Sequence, residues 1–549
     1  MGKWKEDFLA VCKDKRYLLM LGLTALCAYG FLVTHATVGI DDTPYAYYFE
    51  EGLNVIVGRW FLFLLNKVVH ISQFTPFITD LAGVLILMAA ATVWCVLLYS
   101  ICGDRVPKWG YAFFSCIFLS CPLISEVYTY HLHNGVSVGY LCTGVSLCCF
   151  RELSRRMGNR RETVRWGVLM AVFVFAALGC YESFMVVWLL GLFLVMLTQR
   201  YMGVGCRIWR LLAAALGGAV LALALRGLTA AGLTWLFGLQ DLRDKAVQRS
   251  VLDALGWVFG PEAMAEFGMA VKRVYVMYFA FGYAYLPIGI FVGAVIVMAG
   301  AGVYGAVQKR DVWLPVLTLG CFAIPFLLVA VEGKATLYRS AQFLPVICGY
   351  GAFLTALGAG RLKGAGMKGL VRKAAAFILC VVLWNQCHDM NKWFYVDWLK
   401  YQAALDTMKQ VAWELERKYD TSKPVVFTGT YQVPKSIVED AYVGYGTETF
   451  YKINRLTGMV DEHLLEKYYR GDYGVWVAQT PALSVIDWGI NAFGNDAELV
   501  RFLSMHGYGL KANMDGEVFE EASVISMEWP RFPSQGSVAD MGDYIIVHF

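Results

Sequence analysis

Two adjacent carboxylates are the first residues in the chain whose types could do chemistry. Asp41 and Asp42 follow an apolar run, in the sequence Gly-Ile-Asp-Asp-Thr-Pro-Tyr. Acids this close repel each other and can have shifted pKa values, which suits a group that must accept a proton. An Asp before Thr-Pro is also a good helix N-cap. One Asp is enough for a cap, so a catalytic role for the pair stays open.

Three basic residues form a second candidate group. Arg59 lies in the sequence Val-Gly-Arg-Trp, and Lys334 and Arg339 lie in one short segment between two apolar runs. Arginine offers a planar fork of donors that matches a phosphate group. An arginine near a membrane can also reach lipid headgroups, and the other two can be ordinary loop cations. The pattern indicates an anion clamp, with a structural role left open.

Further ionisable groups lie where apolar runs meet. Glu126, His131 and His133 share one junction, and Glu182 lies at another, in a Tyr-Glu-Ser sequence. Ionisable groups at membrane depth are costly and tend to mark sites, although exposure at a hairpin tip or in an interfacial loop also explains them. The His-x-His pair alone is weak evidence of a metal site. We find no P-loop, no nucleophile elbow and no His-Glu-x-x-His motif.

The composition predicts that membrane helices position these residues. The chain has 549 residues, of which 58% are apolar and only 16% are charged, compared with roughly 25% charged in soluble proteins. This excludes a disordered chain and argues against a soluble enzyme, and a net charge of +4 is too small to indicate nucleic acid. The 15 cysteines follow the apolar runs without metal or disulfide spacing. We interpret them, including Cys148 and Cys149, as small hydrophobic residues.

Eleven apolar stretches predict spans: 17–37, 80–100, 109–128, 134–150, 166–180, 184–198, 211–230, 281–305, 312–330, 341–359 and 374–390. With a cytoplasmic N-terminus, the basic clusters that follow every second span lie inside, as the positive-inside rule requires. Merging the fifth and sixth stretches would place the last clusters on the wrong side. The first stretch is longer than a typical signal-peptide core and lacks a convincing cleavage site, which favours an uncleaved span.

Three segments outside the membrane are long. Residues 38–79 and 231–280 have amphipathic patterns typical of helices that lie in the interface. After residue 390, a helical pattern over 398–419 and β-rich runs at 424–427, 474–477 and 544–547, with a helix at 496–506, predict a small α/β domain. The sequence therefore predicts a membrane domain over 1–390 and an extracytoplasmic domain over 391–549.

This order of features resembles the bacterial type II O-antigen glucosyltransferase family, which belongs to the C-type polytopic membrane glycosyltransferases. The similarity covers most of the chain and rests on short motifs: Ile40-Asp41-Asp42, Gly58-Arg59-Trp60, Tyr181-Glu182-Ser183, Tyr338-Arg339-Ser340 leading into Pro345, Asn385 and Asp389 before an amphipathic helix, and Gly542-Asp543-Tyr544-Ile545-Ile546-Val547. Family members often have Gln at the position of Glu182, so this chain departs from the family pattern there.

The resemblance implies a GT-C-like, polytopic α-helical fold and a reaction. A monosaccharide, glucose in this family, would move from an undecaprenyl-phosphate-linked donor to a cell-surface glycan. Transfer would occur at the outer face of the bacterial cytoplasmic membrane. An acidic side chain would accept the proton of the acceptor hydroxyl, and cations would stabilise the departing lipid phosphate. A single in-line displacement would invert the anomeric centre.

The resemblance also suggests residue roles. Asp41 or Asp42 would be the base, with Asp42 preferred because it abuts the predicted helix start, and the other would orient the base or the acceptor. The donor phosphate would be bound by Arg59, Arg339, Lys334 and Lys245. The sugar or acceptor would contact Glu182, Tyr181, Glu126, His131, His133 and Tyr338.

No cofactor is expected, although the Asp41–Asp42 pair could hold a divalent metal, as in some distant relatives. The expected partners are the lipid-linked donor, a glycan acceptor and the bilayer, and no nucleic acid. Two alternatives stay open. A transporter or flippase of lipid-linked sugars would carry polar residues through the middle of several spans, whereas these spans are largely free of acids. A ligase would need a similar site but would take a long chain as its donor.

Overall fold

The computed structural model describes residues 2–37, 52–70, 75–128, 133–205, 207–240, 255–275, 288–333, 340–361, 365–429 and 496–549. Its helices are α1 (Gly2–Cys12), α2 (Lys15–Thr34), α3 (Gly52–Ile56), α4 (Trp60–Val69), α5 (Ile78–Cys102), α6 (Lys108–Leu119), α7 (Leu123–Tyr128), α8 (His133–Arg156), α9 (Arg160–Leu178), α10 (Phe184–Tyr201), α11 (Ile208–Leu236), α12 (Ala263–Tyr275), α13 (Ile288–Lys309), α14 (Trp313–Ala323), α15 (Leu327–Glu332), α16 (Leu344–Arg361), α17 (Ala365–Lys418), α18 (Asp496–Met505) and α19 (Gly516–Ser526). The strands are β1 (Pro424–Thr428), β2 (Lys511–Ala512), β3 (Val538–Asp540) and β4 (Ile545–His548).

Eight helical segments in the described part of the chain are long and apolar enough to cross a membrane. They are Lys15–Thr34, Ile78–Arg105, Gly135–Arg156, Phe184–Tyr201, Ile208–Leu236, Ile290–Lys309, Trp313–Val331 and Gly369–Lys418. Each contains at least 18 residues, and about 20 residues of helix match the hydrocarbon thickness of a bilayer. The chain is therefore a multi-pass membrane protein built mostly from helices.

The predicted total of eleven spans stays a prediction. The three remaining stretches, 109–128, 166–180 and 341–359, are helical but are not among the eight segments. The first of them is divided into α6 and α7 by a turn that contains Pro122, which has no backbone N–H to continue a helix. This helix is therefore broken where the sequence pattern predicts a single span.

Helices α8 and α10 form the centre of the membrane part. Within the apolar 18-residue core of each helix, 89% of the α8 residues and 78% of the α10 residues are buried, compared with 28% of the α11 residues. Trp188 of α10 is fully buried, and its indole N–H donates to the Ser146 hydroxyl of α8 at 3.0 Å. The turn that precedes α10 is therefore attached to helices that are largely buried.

The amphipathic pattern of residues 44–69 predicts one interfacial helix, whereas the structure has the two short helices α3 and α4 from residue 52 onward. Gly58 separates them and has a φ of +80°, a left-handed conformation that glycine adopts without steric cost. In the second long segment, α11 continues to Leu236 and α12 follows after residues 241–254, which lie outside the described residues. Location of these helices in the interface stays a prediction.

The C-terminal part contains a sheet whose described strands have the order β2-β1-β4-β3. Strand β1 is parallel to β2 and β4, and β3 is antiparallel to β4. Alternate residues of a strand face opposite sides. Val425 and Phe427 accordingly pack with α17 and α18, and Val426 packs with α19. The predicted strands at 424–427 and 544–547 and the predicted helix at 496–506 are confirmed, and the strand predicted at 474–477 lies outside the described residues.

One helix joins the membrane part to this sheet. Helix α17 runs from Ala365 to Lys418, through the predicted boundary at residue 390. The span predicted at 374–390 and the helix predicted at 398–419 are therefore one continuous element. The structure does not test the division of the chain into 1–390 and 391–549, which stays a prediction. The location of the second part outside the cell also stays a prediction.

Candidate active site

Arg59 lies in the tight turn between α3 and α4. The N–H of Gly58 donates to the carbonyl of Val55 at 3.0 Å, and the N–H of Arg59 donates to the carbonyl of Asn54 at 2.7 Å. These bonds close the turn and leave the Arg59 side chain at the start of α4. The local fold therefore depends on glycine at residue 58, whose φ is unfavourable for other residues.

The start of α4 is docked onto the end of α9. The N–H groups of Phe61 and Leu62 donate to the carbonyl of Gly179 at 2.9 and 3.2 Å. The first N–H groups of a helix have no partner within it, so this carbonyl acts as a cap. The ring of Trp60 stacks on Phe175 with centroids 4.4 Å apart. A Cβ atom at Gly179 would lie 2.6 Å from the Trp60 ring, so glycine permits this close approach.

Tyr181, Glu182 and Ser183 form the turn between α9 and α10, as the sequence predicts. The Ser183 hydroxyl donates to the side-chain oxygen of Gln342 at 2.9 Å. The Tyr140 hydroxyl donates to the backbone carbonyl of Gln342 at 2.5 Å. Ser183, Gln342 and Tyr140 are buried. These bonds attach the turn that carries Glu182 to α8 and to the residues just before α16.

The two turns bring three of the predicted site residues together. Nη2 of Arg59 lies 3.6 Å from Oε1 of Glu182. The guanidinium carbon of Arg59 lies 4.2 Å from the centre of the Tyr181 ring, within the range of a cation–π contact. The Arg59 side chain is 17% exposed and that of Glu182 is 47% exposed. The cation is therefore largely desolvated, whereas the carboxylate remains open to solvent.

Arg226 of α11 is a fourth member of this cluster. Its Nη2 donates to the carbonyl of Val57 at 2.9 Å and its Nε donates to that of Gly58 at 3.3 Å. A Cβ atom at Gly58 would lie only 2.5 Å from Nη2 of Arg226. Arg226 therefore holds the turn that carries Arg59, and glycine at residue 58 makes room for it. We call Arg59, Tyr181, Glu182 and Arg226 the arginine cluster.

Electrostatics favour a charged carboxylate within the arginine cluster. Desolvation by neighbouring protein atoms raises the pKa of the partly exposed Glu182, but the positive charges of Arg59 and then Arg226, together with a hydrogen bond from the Glu182 backbone, outweigh it. The pKa of Glu182 is therefore below its usual range, and the group is ionised at neutral pH. Within the described part of the chain, the two cations and one anion of the cluster leave a net positive charge, which suits an anionic ligand such as phosphate.

The other predicted site residues are not assembled by the described structure. Asp41, Asp42, His131, Lys245, Lys334, Tyr338 and Arg339 lie outside the described residues. Glu126 lies on α7 and His133 begins α8, and the structure describes their backbone only. The possible metal site at Asp41 and Asp42 therefore lies outside the described residues, which themselves contain no group of three or more His, Cys, Asp or Glu side chains placed to hold a metal ion.

Sequence reasoning missed Arg226 and Gln342. Arg226 lies inside the apolar stretch 211–230, and a charged residue within a span is rare enough to indicate a site. That signal was present in the sequence. Gln342 lies at the start of the span predicted at 341–359, where an amide is unremarkable. Its contact with Ser183 joins residues 159 positions apart, which no local pattern predicts.

The fold and the arginine cluster define a multi-pass membrane protein with a positively charged site at one end of its central helices. The sequence matches the family model Glucosyl transferase GtrII over residues 30–356, which is more than half of the chain and contains the whole cluster. The chain therefore belongs to the GtrII glucosyltransferase family, and the predicted resemblance is confirmed. The protein is a glycosyltransferase.

Two further comparisons were made. No curated protein matches the sequence. Among solved structures, the chain is similar to the crystal structure of ArnT from Cupriavidus metallidurans bound to undecaprenyl phosphate, with a TM-score of 0.34 and 16% identity over 79% of this chain and 75% of that chain.

Proposed function

We propose that the protein transfers a monosaccharide, glucose, from an undecaprenyl-phosphate-linked donor to a cell-surface glycan. The reaction takes place at the outer face of the bacterial cytoplasmic membrane, with the N-terminus in the cytoplasm and the C-terminal part outside. Membership of a glucosyltransferase family supports the sugar. The many apolar helices support a donor that is itself anchored in the bilayer.

The observation that carries this proposal is the net positive arginine cluster. In a transfer from a lipid phosphate, negative charge develops on the phosphate as the bond from the sugar C1 to its oxygen breaks. Positive groups in a site with little water stabilise that charge more strongly than they would in solution. Arg59 meets this requirement because its guanidinium is mostly buried and lies on the Tyr181 ring. We assign Arg59 to the donor phosphate.

Arg226 supports Arg59 in this assignment. Its guanidinium donates to the successive carbonyls of Val57 and Gly58 in the turn and so holds Arg59 in position. Glu182 compensates one of the two positive charges and orients Arg59 through their 3.6 Å contact. Tyr181 supplies the aromatic face beneath Arg59, and its ring is also suited to contact a sugar. These roles explain why the four residues lie together.

Attack on the donor requires a base, and we propose Asp42, with Asp41 orienting it or the acceptor. The base accepts the proton of the acceptor hydroxyl as that oxygen attacks the sugar C1, and the lipid phosphate leaves with the bonding electrons. The displacement inverts the anomeric centre. Arg339, Lys334 and Lys245 are further candidates for the phosphate. Glu126, His131, His133 and Tyr338 are candidates for the sugar and acceptor. No cofactor is required by this chemistry.

A transfer assay with the purified full chain in detergent tests the proposal. Undecaprenyl phosphate–glucose is offered with a panel of surface glycans, and release of undecaprenyl phosphate and labelling of the glycan are both measured. We expect release that depends on the acceptor and that falls at least 100-fold in Asp42→Asn, in line with the loss of a general base. Asp406→Asn, which removes an exposed acid on α17, is the matched control and keeps normal turnover.

Each alternative result of this assay would contradict a particular part of the proposed function. Normal turnover in both Asp41→Asn and Asp42→Asn would exclude the proposed base. Loss of activity in EDTA, with recovery on addition of a divalent cation, would indicate a metal at the Asp pair instead of a metal-free base. Turnover with a different monosaccharide phosphate lipid would change the sugar. No turnover with any monosaccharide donor, in protein that binds the lipid, would favour the ligase or flippase alternatives.

A further inference from the structure

A basic cavity lies at the end of α10 opposite the arginine cluster. It has a volume of about 440 Å³, and its lining includes Arg200, Lys309, Arg310, Asp311 and Trp313. The 18 residues of α10 separate it from Glu182 by about 27 Å. Its volume lies within the roughly 300–1,000 Å³ typical of small-molecule sites. It is therefore distinct from the candidate active site.

The cavity has an excess of positive charge. Arg200 donates to the Asp311 carboxylate through Nε and Nη2, at 2.8 and 2.7 Å, so these two charges compensate each other. Lys309 and Arg310 remain. The Lys309 ammonium donates to the carbonyls of Arg200, at 3.3 Å, and Tyr201, which are neutral. Arg310 has no charged partner in the described part of the chain, and its exposed side chain is available to an anion.

Two more arginines lie behind the cavity and increase its positive potential. Arg105 donates to the carbonyl of Met202 at 3.1 Å. The guanidinium of Arg361 lies 4.4 Å from the centre of the Tyr201 ring. Cations thus converge on the turn that follows α10. They come from the ends of α10, α13 and α16 and from the residues after α5. The positive-inside rule requires cations on one face of the membrane but does not require this convergence.

Two tryptophans indicate the depth of the cavity in the membrane. Trp313 lines it, and Trp209 packs against Trp313 with ring centroids 5.4 Å apart. The Trp209 side chain is 72% exposed on the surface of a span. Tryptophan is enriched at the membrane–water interface, where lipid headgroups lie. A phosphate available at this depth is that of a phospholipid.

We propose that this cavity binds the phosphodiester headgroup of an anionic phospholipid in the leaflet opposite the candidate active site. Lys309 and Arg310 contact the phosphate oxygens. The Arg200–Asp311 pair forms a fixed wall of the cavity, and Trp313 and Trp209 lie beside the upper part of the acyl chains. The bound lipid would hold together the ends of α10, α13 and α14.

Lipid binding to the full chain tests this proposal. Protein in neutral detergent is titrated with phosphatidylglycerol or phosphatidylcholine, and bound lipid is counted by native mass spectrometry. The double variant Lys309→Gln/Arg310→Gln is compared with Arg160→Gln/Arg161→Gln. The second pair of arginines is exposed at the start of α9, on the same membrane face but away from the cavity. The single variant Arg310→Gln leaves the carbonyl contacts of Lys309 intact and guards against misfolding.

We expect phosphatidylglycerol to bind at least tenfold more tightly than phosphatidylcholine. The Lys309→Gln/Arg310→Gln variant should weaken it about 25-fold, since each basic residue at an anionic lipid surface contributes roughly fivefold. Arg310→Gln should weaken it about fivefold and the control pair less than twofold. Equal weakening by both double variants, or no preference over phosphatidylcholine, would overturn the proposal. Competition by sn-glycerol 3-phosphate or inorganic phosphate at the same affinity would replace the lipid with a soluble phosphate ligand.

Discussion

The two ends of α10 each carry an arginine–carboxylate pair, but the pairs differ in geometry and in the other groups that contact them. At one end, Arg200 and Asp311 form two parallel hydrogen bonds of 2.8 and 2.7 Å. At the other end, the closest approach of Arg59 to Glu182 is 3.6 Å, and Arg226 adds a second positive charge. The Arg200–Asp311 pair is bidentate, whereas the Arg59–Glu182 pair is longer and shares its carboxylate with a second arginine.

This difference separates a structural contact from the contact that we propose to be functional. The guanidinium of Arg200 uses its fork on a carboxylate, and this hydrogen bond is the main cause that keeps the pKa of Asp311 below its usual range. The contact joins α10 to the loop between α13 and α14. Arg59 does not form such a bidentate contact with Glu182, which it approaches only to 3.6 Å. The comparison therefore predicts that changes at the Arg59 end alter turnover and that changes at the Arg200 end alter stability.

The largest expected effect is on catalysis at the Arg59 end. Replacing Arg59 by Gln should lower kcat/KM for transfer from undecaprenyl phosphate–glucose by roughly 100- to 1,000-fold, as loss of one preorganised donor to a developing anion does. Arg59→Lys should recover only part of this loss, because lysine keeps the charge but lacks the planar fork. Turnover per folded molecule, with folding checked by size-exclusion chromatography, is the measurement.

Arg200→Gln is the matched control for that experiment, since it removes the same charge at the other end of the helix. Its turnover per folded molecule should stay within about threefold of the wild type, because Arg200 lies about 27 Å from Glu182, beyond the distance at which charges interact strongly in salt. Equal losses of turnover in Arg59→Gln and Arg200→Gln would break the comparison.

The next effect is on stability at the Arg200 end. Arg200→Gln and Asp311→Asn should each lower the free energy of unfolding by about 1–3 kcal/mol, since each leaves a partly buried charge without its hydrogen-bonded partner. Thermal unfolding of the detergent-solubilised protein measures this. The double variant should lose less than the sum of the two single changes. Additive losses would show that the two side chains do not interact.

Most of the helices were predictable because membrane spans have a strong local signal. A stretch of about 20 apolar residues between basic clusters can be recognised from the local sequence alone. The turn at Tyr181-Glu182-Ser183 lies between two such stretches. The division of 109–128 into α6 and α7 was also present in the sequence, at Pro122. Strands β2 and β3 were not predicted, since two or three residues carry no readable alternation.

The site was only partly predictable because its contacts are non-local. Arg59 and Glu182 were chosen separately as candidates, and their pairing emerges from docking of α4 on α9 through Gly179. Arg226 adds a partner from a third element, 168 residues beyond Gly58. Sequence patterns identify charged residues in unusual surroundings but not which of them meet. The pairing depends on which helices pack together.

A carboxylate in the C-terminal part provides a contrast to Glu182 and Asp311. Asp496 is buried, and no positively charged group is among the causes that shift its pKa. Burial raises the pKa of Asp496 to about 6, although the N–H of Phe427 and the side chain of Asn513 oppose this. A carboxyl group whose pKa is raised on folding contributes to stability at pH values below its pKa in the unfolded chain, which is about 4. This contribution is lost as the pH rises through the folded pKa of about 6. Asp496→Asn should therefore stabilise the protein at pH 7.5 by roughly 2–3 kcal/mol.

Thermal unfolding of wild type and Asp496→Asn at a series of pH values measures this difference. The two curves should coincide near pH 4 and diverge up to about pH 7. The control is Asp515→Asn, which removes one negative charge from an exposed acid that caps α19. A wild type that gains stability relative to Asp496→Asn as pH rises would contradict the prediction.

The smallest expected effect is that of replacing Glu182. Its surroundings stabilise the charged form of the carboxyl group, whereas those of Asp496 disfavour it. A carboxylate whose pKa is lowered on folding keeps its contribution above its unfolded value of about 4.3, and loses it only as pH falls through the lower folded value. Glu182→Gln removes one negative charge from the arginine cluster. It should lower the KM for the lipid-linked donor by about threefold, as expected for a solvent-accessible charge.

Because Glu182 remains ionised, the KM values of wild type and Glu182→Gln should run parallel from about pH 5 to about pH 8. Asp311→Asn, at the other end of α10, removes the same charge about 27 Å away and should leave the donor KM unchanged. Convergence of the wild-type KM on that of Glu182→Gln between about pH 7 and pH 5 would mean that burial outweighs the two arginines. The carboxylate would then resemble Asp496, and the net charge of the arginine cluster would depend on pH.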